Sequence, residues 1–264
     1  MRRKKTAAEL KNLFDISGKT ALVTGACGAL GSAICRGLAL NGADLVLCDI
    51  DKTALESLAG ELRKEGRKVL TVSCDIRSEA SVDAMVSEAM KAMGSIDILF
   101  NGAGVAHREL LVKMDIDAWQ RVMDINVKGT LLCCKAVARE MIALGKPCSI
   151  INIGSVRGFH GHEGGYTGYG TSKAAIHYIT QTLAMEWGKQ KIRVNAIAPC
   201  VFWSPLTEPI LNDPANAAGY LARIPLGAAP EPEDFVGPTI FLASESSAFV
   251  TGHILSVDGG TTAG

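Results

Sequence analysis

The chain has 264 residues, 48% hydrophobic and 20% charged, with 27 basic against 27 acidic side chains and a formal net charge of zero. That length can bury a sizeable core as one large α/β domain. The even balance excludes the basic surplus of a nucleic-acid binder, and no apolar stretch approaches the ~20 residues of a membrane span. Eight cysteines (Cys27, Cys35, Cys48, Cys74, Cys133, Cys134, Cys148 and Cys200) lie in apolar segments with no Cys-x-x-Cys pair. They read as free, buried thiols in a reducing cytosol rather than as zinc or redox sites, so a soluble cytoplasmic protein is expected.

In chain order, residues 1–12 open with Arg2, Arg3, Lys4 and Lys5 and read as a flexible basic tail without the apolar run of a signal peptide. From residue 13, short apolar runs alternate with helical patterns. Strands are predicted at 20–23, 44–48, 69–72, 96–100, 149–153, 193–197 and 254–257. Helices are predicted from the first Gly-rich turn to Leu40, then at 53–65, 82–93, 119–141 (as one long helix) and 169–187. Leu55, Leu58 and Leu62 share one face of the second helix. Strand runs apolar throughout suit strands covered on both faces, and repeated βα units imply a parallel, doubly wound sheet with right-handed crossovers. Residues 13–264 form a single domain. The Pro- and Gly-rich stretch around 200–225 reads as an insertion with short helices, over the strand ends where such sheets bind ligands.

Two motifs carry chemistry. Residues 24–31, TGACGALG, sit between the first strand and first helix, where glycines let the backbone approach a pyrophosphate held at a helix N-terminus. Asp49, eighteen residues past Gly31, ends the second strand. A carboxylate there accepts hydrogen bonds from an adenosine ribose and repels a 2′-phosphate, which favours NAD over NADP. The second motif, YGTSK at 169–173, sets Tyr169 and Lys173 one helical turn apart. An ammonium ~4 Å from the phenol, at an effective dielectric of ~20, favours the phenolate by up to ~4 kcal/mol, about three pKa units. Tyr169 then becomes a usable general acid/base. Ser155, fourteen residues earlier, can offer a hydroxyl to the same substrate oxygen, and Asn126 lies on the long helix.

With these pieces in this order, joined by CDI (74–76), NGAG (101–104), IGS (153–155), RVNAIAP (193–199) and VDGG (257–260), the chain resembles the short-chain dehydrogenases/reductases from about Leu13 to its C-terminus. Residues 13–19 and 249–264 look most like gluconate 5-dehydrogenases and related sugar-acid and polyol dehydrogenases. The resemblance implies a Rossmann-type sheet of about seven strands in order 3-2-1-4-5-6-7. It also implies a catalytic set in which Tyr169 passes the proton, Lys173 lowers its pKa and holds the nicotinamide ribose, Ser155 orients the reacting oxygen, and Asn126 positions a water. The implied cofactor site takes Gly25, Gly28, Ala29, Leu30 and Gly31 from the turn, Asp49 and Ile50 from the second strand, and Cys74, Asp75 and Ile76, with Asp75 on the adenine amine. Asn101, Gly102, Ala103 and Gly104 follow along the ribose, and Pro199, Val201 and Ser204 lie near the carboxamide. A homotetramer formed through the helices of Asn126 and Tyr169 is implied as well.

Three positions depart from the family pattern. Ala29 replaces a glycine of the first motif, Gly102 replaces an asparagine, and Cys200 follows Pro199 where a glycine is usual. If that position needs φ > 0, the backbone must change.

Arg157, His160, His162, Tyr166 and Arg108 are candidate substrate contacts. His160 and His162 with Glu163 lack an oriented partner for a metal, and none is expected. These residues favour an NAD-dependent dehydrogenase for a small polyhydroxylated substrate: a sugar, a sugar acid such as gluconate, or a polyol. Phe202, Trp203 and Leu206 keep an apolar alternative open, of hydroxysteroid or 3-oxoacyl type. A non-catalytic nucleotide-binding protein is the third reading.

Overall fold

The strands Thr20–Thr24 (β1), Asp44–Asp49 (β2), Val69–Ser73 (β3), Ile98–Asn101 (β4), Cys148–Ile153 (β5), Ile192–Pro199 (β6) and Ile254–Val257 (β7) form one parallel sheet in the order β3-β2-β1-β4-β5-β6-β7. The structure, a computed structural model, describes residues 4–205 and 207–264; Arg2, Arg3 and Leu206 lie outside the described residues. Each strand edge falls within about two residues of its predicted run.

Alternate residues of the central strands feed two cores, as a pleated strand buried on both faces requires. Ala21, Val23, Ile98 and Phe100 pack on one face with Ile34, Leu38, Leu55, Leu62 and Phe235. Leu22 and Leu99 face the other, with Val86, Val137, Met141 and Val194. The first face is covered by Ala29–Leu40 (α2), Lys52–Lys64 (α3) and Val236–Ala243 (α10). The second carries Glu79–Met93 (α4), Thr130–Leu144 (α6) and Thr167–Trp187 (α7). Helix α10 falls outside the predicted set; its Pro238 lies in the first turn, where the missing N–H would have no intrahelical partner.

The predicted helix 119–141 is in fact two α-helices, Ile116–Met123 (α5) and α6, joined by a π-helical stretch, Asp124–Gly129. The Thr130 hydroxyl donates to the Asn126 carbonyl at 2.8 Å, and Gly129 packs so closely on the Ile76 side chain that a Cβ there would have to displace it. The N-terminal segment read as a flexible tail carries a short helix, Ala7–Lys11 (α1). A capping box between Thr6 and Glu9 starts it, and none of its residues is buried. The inserted stretch holds two short helices, Glu208–Leu211 (α8) and Pro214–Leu221 (α9). Cys200 carries no positive φ, so its side chain adds no backbone strain at this position. Among the described residues, no helix is long and apolar enough to cross a membrane, and no three His, Cys, Asp or Glu side chains gather as a metal site.

Candidate active site

A cleft of about 710 Å³ opens over the carboxyl ends of β1, β4, β5 and β6. Its floor at one end is main chain. Gly25 holds φ at +66°, and a Cβ there would stand 2.7 Å from the Ala103 backbone; a Cβ on Gly31 would run into the Gly25 carbonyl oxygen. Helix α2 begins beyond this turn, with Gly28 as an N-cap that offers no side chain and no acidic residue in the first turn. Its leading N–H groups and the positive end of its dipole therefore face the cleft unclaimed by any side chain, which fits a dinucleotide's pyrophosphate.

Asp49 closes this end of β2. Its carboxylate accepts from the Cys27 N–H at 3.1 Å and the Ile50 N–H at 2.7 Å. Ile50 is exposed, and Arg36 of α2 is committed to Glu61 at 2.7 Å. Asp75, expected on an adenine amine, pairs its half-exposed carboxylate with Arg77, at 2.7 Å for the closest contact, and this pairing holds its pKa down. Asn101, expected along the ribose, is 3% exposed and turns inward. Its Nδ2 donates to Asn152 Oδ1 at 2.9 Å, while Asn152 donates to Thr180. The Asn101 Oδ1 has no partner.

At the middle of the cleft stand Ser155, Tyr169 and Lys173. Ser155 caps the 3₁₀ turn Val156–Gly158, and its Oγ accepts from the Arg157 N–H at 3.1 Å. Tyr169 and Lys173 share one face of α7. Lys173 is buried and donates to the Ile153 carbonyl at 2.8 Å; burial lowers its pKa to about 8. Burial raises the Tyr169 phenol, against the hydrogen bond of Ser155 and the field of Arg157, which both lower it. The Lys173 ammonium stands 5.6 Å from the phenol ring centroid, held by the Ile153 carbonyl.

Asn126 lies buried behind the wall. Its Oδ1 accepts from the Val105 N–H at 2.8 Å, and its Nδ2 donates to the Val105 carbonyl at 2.9 Å and to Ser172 Oγ at 3.0 Å. It thus ties the segment after β4 to α7. His177, one turn past Lys173, sits beneath Ser155, whose N–H donates to its Nε2 at 3.4 Å. Its ring fills the space that a Cβ on Gly154 or Gly158 would need. Burial first, and Lys173 second, lower its pKa to about 4.

The far end of the cleft is built from side chains. The guanidinium carbons of Arg108 and Arg157 lie over the Tyr166 ring at 4.7 and 5.1 Å from its centroid, in cation–π geometry. The Tyr166 hydroxyl meets that of Tyr220 at 3.3 Å. Val105, Val156, Phe202, Ile210 and Ile224 supply an apolar wall. His160 and His162 line a neighbouring hollow of about 330 Å³, which also touches Arg157 and Tyr166, and Trp203 lies outside both linings. Tyr220, Arg223 and Thr261 line the main cleft without having been singled out in the sequence. For Arg223 a signal existed: it is the only lysine or arginine after Arg193.

A family model described as enoyl-(acyl carrier protein) reductase matches residues 25–262. The chain is 37% identical over 253 residues to the 2-dehydro-3-deoxy-D-gluconate 5-dehydrogenase of Dickeya dadantii, covering 94% of this chain and 97% of that one. It is 36% identical over 245 residues to the 3-oxoacyl-(acyl-carrier-protein) reductase of Thermotoga maritima, covering 93% and 98%. Among solved structures, a gluconate 5-dehydrogenase from Burkholderia cenocepacia in complex with NADP and tartrate is similar with a TM-score of 0.92 at 34% identity, over 96% of this chain and 98% of that one.

Proposed function

The chain belongs to the short-chain dehydrogenase/reductase family, enzymes acting on CH–OH groups, and from that premise we propose that it interconverts a secondary alcohol and a ketone on a small polyhydroxylated substrate, a sugar acid above all. The observation that carries this reading is one cleft holding Ser155, Tyr169 and Lys173 beside the guanidiniums of Arg108 and Arg157. A bound nicotinamide supplies the hydride acceptor or donor. Ser155 and the Tyr169 phenol hold the reacting oxygen between them. With its pKa raised by burial, the phenol carries the proton that a ketone must receive on reduction, and it takes that proton back on oxidation. Lys173 presents its ammonium to the ribose hydroxyls, and Asn126 keeps α7 and the segment after β4 in register.

For the cofactor, NAD is the preferred partner. Asp49 and the neighbouring Asp51 set negative charge where a 2′-phosphate would sit, and Ile50 offers no cation. The Burkholderia relative was solved with NADP, so the ratio of the two affinities is the quantity to measure. The enzyme works as a cytoplasmic homotetramer on this reading. Support comes from its eight unpaired cysteines and from exposed Leu131, Tyr178 and Met185 on α6 and α7.

The apolar wall of Val105, Val156, Phe202, Ile210 and Ile224, with the Thermotoga relative, favours a second reading, a 3-oxoacyl or similar apolar ketone. A panel of alcohols and ketones followed by NADH and NADPH fluorescence separates the two. Sugar acids and polyols should turn over, and Tyr169→Phe should lower kcat by about 10³-fold with cofactor binding nearly intact. Turnover of hydroxysteroids or oxoacyl thioesters, with none of any sugar acid, would move the substrate class to the apolar one.

A further inference from the structure

Arg223 follows α9 and lines the same cleft as Ser155, Tyr169, Arg108 and Arg157. Elsewhere on the surface Arg36, Arg63, Arg77 and Arg139 each reach a carboxylate. Among the described residues, Arg108, Arg157 and Arg223 reach none, and their guanidiniums donate to no protein acceptor. Glu109 is taken by His107 at 3.2 Å, and the exposed Glu163 makes no ion pair with any of the three. All three guanidiniums act on His162, lowering its pKa behind the effect of burial, and Glu163 acts on it in the opposite sense. They therefore share one neighbourhood.

Stacking on Tyr166 uses the flat faces of two guanidiniums and leaves their N–H edges for in-plane oxygens. A single carboxylate satisfies one such fork in bidentate fashion. Three forks lining the cleft of the reacting phenol, whose ring lies 6.3 Å from that of Tyr166, match an end group with more charge and more oxygens. We propose that Arg108, Arg157 and Arg223 form a subsite for a doubly charged end group, a phosphate monoester, so that the substrate is a sugar phosphate rather than a sugar acid carrying carboxylates alone. This rests on the sugar-substrate reading above. Glucarate, with one carboxylate at each end, is the control for added charge without a doubly charged end group.

The test compares kcat/KM for sorbitol, gluconate, glucarate and 6-phosphogluconate in the native enzyme and in Arg223→Ala and Arg223→Lys. 6-Phosphogluconate should exceed both gluconate and glucarate by tenfold or more. Arg223→Ala should erase that advantage through KM, with Arg223→Lys recovering part of it. If 6-phosphogluconate fails to exceed both by tenfold, or if Arg223→Ala leaves its advantage intact, the subsite is wrong while the sugar-acid reading stands. If no sugar compound turns over, that reading falls, and calorimetry of 6-phosphogluconate on the cofactor-loaded enzyme decides the subsite alone. Binding weakened tenfold by Arg223→Ala supports it, and no binding by the native enzyme overturns it.

Discussion

At the ends of β1 and β2 the wall of the cleft is main chain, folded so closely that Gly31 has no room for a methyl group against the Gly25 carbonyl. Beyond Ser155 the wall is made of guanidinium, imidazole and phenol groups carried on three separate segments around Arg108, Arg157 and Arg223. The first end suits what every dinucleotide shares, a pyrophosphate, through N–H groups that only a proline would remove. The second suits what distinguishes one substrate from another, through side chains exchangeable without disturbing the sheet. A backbone-built site fails when atoms are added. A side-chain-built site fails when atoms or charges are removed.

The sharpest way to break this contrast is to add one methyl group at the rigid end. Gly31→Ala should lower nucleotide affinity by about 100-fold and cost about 3 kcal/mol of stability, the upper range for overpacking. Cofactor titration and urea unfolding measure the two, and native-like values in both would show that the turn can relax. At the other end the expected sensitivity is to pH. His177 stays neutral in the folded protein, with its pKa at about 4, whereas the unfolded chain takes up the proton below about 6.5. Stability contributed this way is whole above pH 6.5 and is lost as pH falls towards 4, by up to about 3 kcal/mol. Urea midpoints between pH 7 and 4.5 should show a shallower decline in His177→Asn, and identical slopes would dismiss the effect. The smallest change is expected from Asp49→Ala combined with Ile50→Arg, which should move the cofactor preference towards NADP by about tenfold in kcat/KM. It is modest because Asp49 already spends its oxygens on the Cys27 and Ile50 N–H groups. Native preference for NADP would remove Asp49 as the selector.

The same contrast explains what could be read from the sequence. The continuous apolar run at Ala21, Leu22 and Val23 and the glycine spacing at 25–31 are local rules, and they located the strands and the Gly-rich turn. Asp75 illustrates the limit: its motif is intact, yet its carboxylate is occupied by Arg77 two residues on. Lys173 sits one helical turn from Tyr169, but its ammonium goes to the Ile153 carbonyl, a choice set by β5 and not by α7. Arg223 lay in an irregular stretch with no periodicity to orient it. Only the folded cleft shows that it lines the same space as Arg157.

The wide turn at Asp124–Gly129 also sets the phase of everything after it. A helix advances about 100° per residue, so the additional residue in that turn acts as an angular offset between α5 and α6. It lets Asn126 point its carboxamide at Val105 while Cys133, Val137 and Met141 return to the core. Deleting a single residue there would straighten the rod into an ordinary helix and swing those three side chains away from the sheet together. Along this stretch the spacing is a length constraint as strict as any residue identity.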